Sequence, residues 1–325
     1  MTAIDAPVAA GEDSRAARRA DLVALLTVAI WGVSFTFNKR ALDEIEVAAF
    51  MCVRYLGMVA LAWAVLLVRR AAGRPIGIVR ADLPRLALAG ILGYSIFIVL
   101  STVGLARTTA FSTALLVGTA PLFAALLLWM LRLETIARRQ VGGMLVAFAG
   151  VLVFLADKML ARLSDAGLGD LLCLTGALFF AAYSIASKPL GARYAVPVMI
   201  AHTSTIGSIP VILATLPAAL AHDWTRVSAP AWASLAWTIL VPVYFAWTLW
   251  GWVIARNGVV RASLFMFLVP VAGALASRLL YGETFHALKL GGAALILAGL
   301  AVARRAGAAR RGEAPTPRAS RDGVT

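Results

Sequence analysis

Apolar residues in this chain come in long unbroken runs, and polar residues collect in the short stretches between them. A helix that spans a bilayer needs about 20 mostly apolar residues. Ten runs reach or approach that length: roughly Leu22–Phe37, Val47–Val68, Leu86–Leu105, Thr109–Leu131, Val141–Ala156, Leu171–Ser187, Val198–Leu220, Ala231–Ile254, Val259–Leu280 and Leu288–Ala303. They are spans 1 to 10 below. The joining segments leave no room for a large soluble domain. The apolar–polar alternation that an outer-membrane barrel needs is absent. The pattern therefore predicts an all-α integral membrane protein with ten transmembrane helices.

Composition removes the soluble alternative. Apolar residues make up 61% of the 325, charged residues 14%, and the mean hydropathy is +0.87. Soluble domains run at about 45–50% apolar and about 25% charged. The two cysteines, Cys52 and Cys173, each lie inside an apolar run and read as small buried hydrophobes, not as a disulfide or metal framework. Residues 1–20 carry acids, arginines and a proline without an apolar run, so they read as a tail and not as a cleaved signal.

The net charge is +14. In a soluble protein that would point to nucleic acid; here it sorts by membrane side. If the N-terminus is cytoplasmic, 21 Lys and Arg fall on the cytoplasmic side and 8 on the other, with Arg54 inside a span. That bias predicts a multi-pass protein of the inner (plasma) membrane with both termini in the cytoplasm. The basic segment 306–325 is then a cytoplasmic tail. The lipid bilayer is the expected partner and nucleic acid is not.

Shifting the chain against itself by 149 residues exposes a repeat. Arg107 falls on Arg256, Pro121 on Pro270, Glu134 on Glu283, Thr135 on Thr284, Gly142 and Gly143 on Gly291 and Gly292, and Gly150 on Gly299. Lys39 falls on Lys188. Between Leu105 and Leu155, 14 of 51 pairs are identical without a gap. The predicted units are 21–156 (spans 1–5) and 169–305 (spans 6–10), joined by a linker at 157–168. Five spans is an odd number, so the second unit enters the membrane from the opposite side. Two inverted five-helix repeats around a central cavity are the expected architecture, as in many secondary transporters.

The segment IWGVSFTFNKRAL in span 1, with GTAPLFAALLLWMLRLETIARRQVGGMLVAFAGVLVFL and its partner FLVPVAGALASRLLYGETFHALKLGGAALILAGLAV, resembles the EamA repeats of the drug/metabolite transporter superfamily. The resemblance covers most of Leu22–Ala303. It implies a basket of helices around a cavity lined largely by spans 1, 3, 4, 6, 8 and 9. The Trp- and Tyr-rich character most resembles the bacterial amino-acid exporter branch. That implies a small-molecule substrate, an aromatic or neutral amino acid or a related amphipathic metabolite. Other solute classes, an organic cation or a nucleotide-sugar-like molecule, stay open.

Candidate site residues follow from chemistry and depth. Span 8 places Tyr244, Trp247 and Trp250 three apart, with Trp252 beyond, more aromatic mass than an interfacial belt needs. Span 3 offers Tyr94 and Phe97, span 1 Trp31, Ser34 and Asn38, and span 6 Tyr183, Ser184 and Ser187. Together they predict an apolar pocket with a few polar groups, the usual form of a small-molecule site; lipid packing is the alternative for each.

Arg54 lies within span 2, where a charge costs about 2.5–3.5 kcal/mol on insertion scales. It is either a cavity cation for a carboxylate or phosphate, or a side chain snorkelling to the span end near Glu46. Pro121 and Pro270, inside spans 4 and 9, predict helix kinks; Pro210 and Pro242 are further candidates. Glu134 and Glu283 close spans ahead of a Thr that can cap the next helix, so a dipole role is expected and not proton coupling. Lys39 and Lys188 end spans 1 and 6, where helix-dipole and interface roles outweigh a gate.

No phosphate-binding GxxxxGK[ST] motif is present, and His202, His222 and His286 are scattered. No cofactor or metal is expected, and no nucleophile with a base sits in a span, so an intramembrane enzyme is disfavoured. The sixteen acids lie in tails, loops or near span ends. A carrier that moves solute down its own gradient fits better than one driven by a buried carboxylate.

Overall fold

The computed structural model describes residues 6–132, 138–160, 165–246, 249–250, 252–253, 265 and 268–312. Among these residues every regular element is helical. In chain order they are α1 (Ala6–Leu42), α2 (Val47–Ala71), α3 (Leu83–Gly90), α4 (Val99–Arg107), α5 (Ala110–Val117), α6 (Ala120–Met130), α7 (Arg138–Leu160), α8 (Asp165–Arg193), α9 (Val196–Ala221), α10 (Ala229–Leu240), α11 (Val269–Tyr281) and α12 (Ala287–Gly312). Six helical stretches are long and apolar enough to cross a membrane: Arg19–Leu42, Val47–Ala71, Arg80–Arg107, Ala110–Met130, Gly167–Arg193 and Val196–Ala221. Four shorter apolar helices accompany them: Val141–Phe154, Ala229–Leu240, Val269–Tyr281 and Ala287–Gly299.

Local chemistry sets the helix ends. Thr109 and Ser228 cap α5 and α10, accepting from the N–H groups of Ser112 and Ala231. Gly282, in the left-handed region at φ 63°, ends α11. The kinks expected at Pro121 and Pro270 take another form. Both prolines sit in the first turn of a new helix, α6 and α11. There the missing N–H is one the helix could not have used. For Pro121 the helix breaks at Gly118–Thr119 between α5 and α6. Pro210 stays inside a continuous α9.

The third helical stretch is continuous but not uniform. Between α3 and α4 the residues Ile91–Ile98 wind as a π-helix, and after α10 the residues Val241–Phe245 do the same. Shifted by 149 residues, the second π segment falls on Leu92–Ile96, inside the first. Such wider turns are rare and favour functional sites.

Two large clusters and a small one around Ala24 and Val253 make the interior of the described residues. One centres on α2 with α3, α8 and α9 around Phe50, Tyr55, Leu66, Leu86 and Ile200. The other joins α5, α6, α7 and α12 around Leu115, Phe154 and Ile296. In α7 positions 143, 144, 147 and 150 are buried, together with 151 and 154; in α12 the equivalents of the first four, 292, 293, 296 and 299, each 149 further on, are buried, together with 289. Leu145, Leu152 and Leu295 face outward, as lipid-facing side chains would.

Candidate substrate cavity

A cavity of about 160 Å³ opens between α1, α2, the α3–α4 stretch, α5, α8 and the second π segment. A void of about 150 Å³ in an unrelated protein core holds benzene, so this one suits a ring or a small branched side chain. Trp31, Ser34, Phe35 and Asn38 line it from α1, at the i, i+3, i+4, i+7 spacing of one helix face. The opposite wall uses Gly93, Tyr94, Phe97, Ile98, Ser101, Thr102 and Leu105. Their period is four, which would drift by about 40° per step on an α-helix. The π segment, with its wider turn, offsets that drift and holds the row against the cavity. Phe180 and Tyr183 close the α8 side, and Val117, Gly118, Pro242 and Val269 complete the lining.

Aromatic contacts and hydrogen bonds lock this shell. Phe97 meets Phe180 at 4.8 Å between ring centroids, and Tyr94 meets Tyr183 edge-on at 6.1 Å. The Tyr55 hydroxyl donates to the Tyr94 carbonyl within the π segment. The Trp31 indole N–H donates to the Pro242 carbonyl at 3.3 Å. Trp31, Phe35, Phe97, Phe180 and Tyr183 give the cavity an aromatic side. Arg54, Asn38, Ser101 and Thr102 give it a polar side. Among the described lining residues Arg54 carries the only charge.

Most of the sequence candidates meet here. Trp31, Ser34, Asn38, Tyr94, Phe97, Tyr183 and Arg54 all line the one cavity. Ser187 does not; its hydroxyl turns back to the Ser184 carbonyl at 3.3 Å. Trp250 stands behind Trp31, its ring 5.3 Å away, and is not a lining residue. Trp247 and the Tyr244 side chain lie outside the described residues. Phe35, Ser101, Thr102 and Phe180 were missed. Phe180 carried a signal, three residues before Tyr183; Ser101 and Thr102 were a polar pair inside an apolar span.

Just beyond Leu105 the helices are pinned together. Lys39 donates to the carbonyls of Leu105 (3.2 Å) and Ala106 (3.0 Å), the C-terminal turn of α4. A cation there offsets the helix dipole. The Thr108 hydroxyl donates to the buried Asp170 carboxylate at 2.5 Å, tying α4 to the start of α8. Gly104 and Gly169 let those backbones meet: a Cβ on Gly104 would lie 2.7 Å from the Gly169 carbonyl. Nearby, Glu283 pairs with Lys289 at 3.1 Å and accepts from Ser277. It thus links α11 to α12; Glu134 lies outside the described residues. In the loop after α1, the backbone N–H and hydroxyl of Ser228 both donate to Glu44, holding its carboxyl below the ordinary carboxylate range.

The model of the EamA-like transporter family matches residues 18–156 and again 167–305. The chain belongs to that family. The two EamA matches begin 149 residues apart, the offset of the internal repeat. A probable terminal-alkyne amino-acid exporter of Streptantibioticus cattleyicolor is 31% identical over 296 residues, covering 90% of this chain and 96% of that one. A probable amino-acid metabolite efflux pump of Escherichia coli is 27% identical over 301 residues, covering 87% and 94%. A solved crystal structure superposes with a TM-score of 0.60 at 20% identity, over 88% of this chain and 97% of that chain, and shares the fold. As an EamA-type membrane protein the chain is a transporter, and its relatives include proteins named as exporters.

Proposed function

We propose that the protein exports amino acids, aromatic or neutral ones foremost, and related small amphipathic metabolites by alternating access. The observation that carries this reading is the cavity: an aromatic wall facing a small polar side, at a volume suited to one such solute. The names of the Streptantibioticus and Escherichia relatives point the same way. An organic cation is a poor match for a cavity whose one described charge is Arg54. No described lining residue is a carboxylate, which favours movement down the solute's own gradient over proton coupling.

Alternating access needs two mirrored halves, and ten spans as two inverted repeats supply them. Two features support that arrangement. The π segments fall on equivalent repeat positions. The close approaches of α7 and α12 pair Gly150 with Gly292 and Gly299 with Gly143, so these equivalent helices run antiparallel and exchange roles under a two-fold rotation. With both termini cytoplasmic, the pinned end at Lys39, Thr108 and Asp170 is the non-cytoplasmic end of the cavity.

The test is efflux from proteoliposomes loaded with labelled phenylalanine, methionine or threonine, with and without a pH gradient. Saturable efflux above protein-free liposomes, indifferent to the gradient, is expected. Efflux no faster than from protein-free liposomes for all three would overturn the substrate class.

A further inference from the structure

Arg54 is poorly satisfied where it stands. Its Nη1 reaches the Thr102 hydroxyl at 3.5 Å, the outer limit of a hydrogen bond, and its guanidinium carbon lies 5.9 Å from the Phe50 ring centroid. A guanidinium has five N–H donors in a fixed fork. Among the described residues, no carboxylate stands within ion-pair distance of it. An unpaired charge within a membrane span is rare and marks function by default.

Two further groups on the same cavity share this state. The Asn38 side-chain oxygen and the Ser101 hydroxyl are buried, with residue exposures of 8% and 6%, and neither has a hydrogen-bond partner. Buried polar groups in native proteins are nearly always paired. An acceptor, a hydroxyl and a cation with spare donors, all lining one void, describe a ligand that carries an anion and an ammonium close together. The rest of the wall, Trp31, Phe97 and Phe180, describes its apolar remainder.

The equivalent position of the second repeat carries no cation. Thr203 occupies the position equivalent to Arg54, fully buried, and spends its hydroxyl on the Met199 carbonyl at 2.7 Å. Among the described lining residues the cation therefore stands on one side of the cavity only, near the pinned end of α4.

We propose that Arg54 is the carboxylate-recognition residue of the cavity, with Asn38 accepting from the ammonium group, so that the cavity selects α-amino acids over their decarboxylated amines. This rests on the amino-acid reading above and narrows it to one atom set. Arg binds carboxylates through two parallel charge-assisted hydrogen bonds, which Lys cannot reproduce. Removing such a bond changes affinity by roughly 10- to 100-fold.

The test uses the full-length protein in proteoliposomes with three probes: L-phenylalanine, phenethylamine (no carboxylate) and 3-phenylpropionate (no ammonium). The wild type should move phenylalanine at least tenfold faster than phenethylamine. Arg54→Gln should erase that preference by slowing phenylalanine alone, Arg54→Lys should keep part of it, and the thermal midpoint of Arg54→Gln should equal or exceed that of the wild type. Phenylalanine preference retained in Arg54→Gln would overturn the role of Arg54 while leaving amino-acid export standing. A lower midpoint in Arg54→Gln with equal loss of every probe would make Arg54 a structural residue and overturn it as well. A wild type that moves phenethylamine but no carboxylate-bearing probe, or moves none of the three, would overturn both readings.

Discussion

Two helix pairs in this protein bring equivalent elements of the two repeats face to face, and their chemistry is opposite. Where α7 meets α12 the contact is made by glycine backbone: a Cβ on Gly150 would lie 2.5 Å from the Ile296 nitrogen, and one on Gly292 would lie 2.6 Å from the Phe154 nitrogen. Where α2 meets α9 a large ring takes part in the contact. Trp63 packs edge-on against His202 at 5.5 Å and donates to the Thr205 hydroxyl at 2.9 Å. In the first pair both copies keep the same small residues. In the second the copies have diverged: Arg54 faces Thr203 in repeat register, and Trp63 faces Ile212. The first seam is remote from the cavity and has only packing to satisfy. The α2 seam reaches the cavity through Arg54, and there identity between copies would work against holding one asymmetric solute.

The largest expected effect breaks the glycine seam. Without a hydrophobic driving force in lipid, helices associate through close packing, and small residues permit it. Gly150→Val or Gly299→Val forces branched carbons into the opposing backbone and should cost about 2–3 kcal/mol each. Denaturant unfolding of the purified protein measures this. Gly142→Ala and Gly291→Ala, whose new Cβ atoms meet nothing within 4 Å, should stay within about 0.5 kcal/mol of wild type. Equal losses at Gly142 and Gly150 would mean that the seam is not what holds α7 to α12.

The same contrast explains what the sequence could tell. Apolar length is a local property, so the long spans were legible, and so was the family. The Gly–Gly pairs were visible as a repeat, but which glycine of each pair is buried depends on helix phase: 143, 147 and 150 lie on one face. In the cavity, Trp31, Ser34 and Asn38 could be read because α1 is a regular helix and its spacing is regular. Ser101 and Thr102 are visible as a polar pair in an apolar span, but the side they face is not, because the π segment resets the phase of that wall and no residue type signals a π turn. The three-residue spacing of Trp247 and Trp250 cannot tell a ring on the cavity wall from one tilted against Trp31. The break ahead of Pro121 depends on which side of Gly118–Thr119 the chain stops winding.

A middle-sized effect sits where a buried polar contact adds to the close approach of Gly104 and Gly169. Thr108→Val removes the hydroxyl that donates to Asp170, whose side chain is fully buried. Hydrogen bonds to a charged group contribute about 1.5–3 kcal/mol, and valine keeps the volume. A loss of that size in the same unfolding assay, with no change in Gly142→Ala, would place this polar pin between the two seams. A loss under about 0.3 kcal/mol would show that other groups hold Asp170 without Thr108.

The smallest effect tests the α2–α9 seam directly. Trp63→Phe keeps an aromatic ring against His202 and deletes only the indole N–H that reaches Thr205. The Thr205 hydroxyl itself donates to the Ala201 carbonyl at 2.6 Å, so it is not left without a partner. Interhelical hydrogen bonds in membrane proteins average about 0.6 kcal/mol and reach about 1.7 at most. The substitution should therefore lower stability by about 0.5 kcal/mol, several-fold less than either glycine substitution. A loss above about 2 kcal/mol would mean that this seam is as closely packed as the glycine one. The freedom to diverge at Arg54 and Trp63 would then need a cause other than loose side-chain packing.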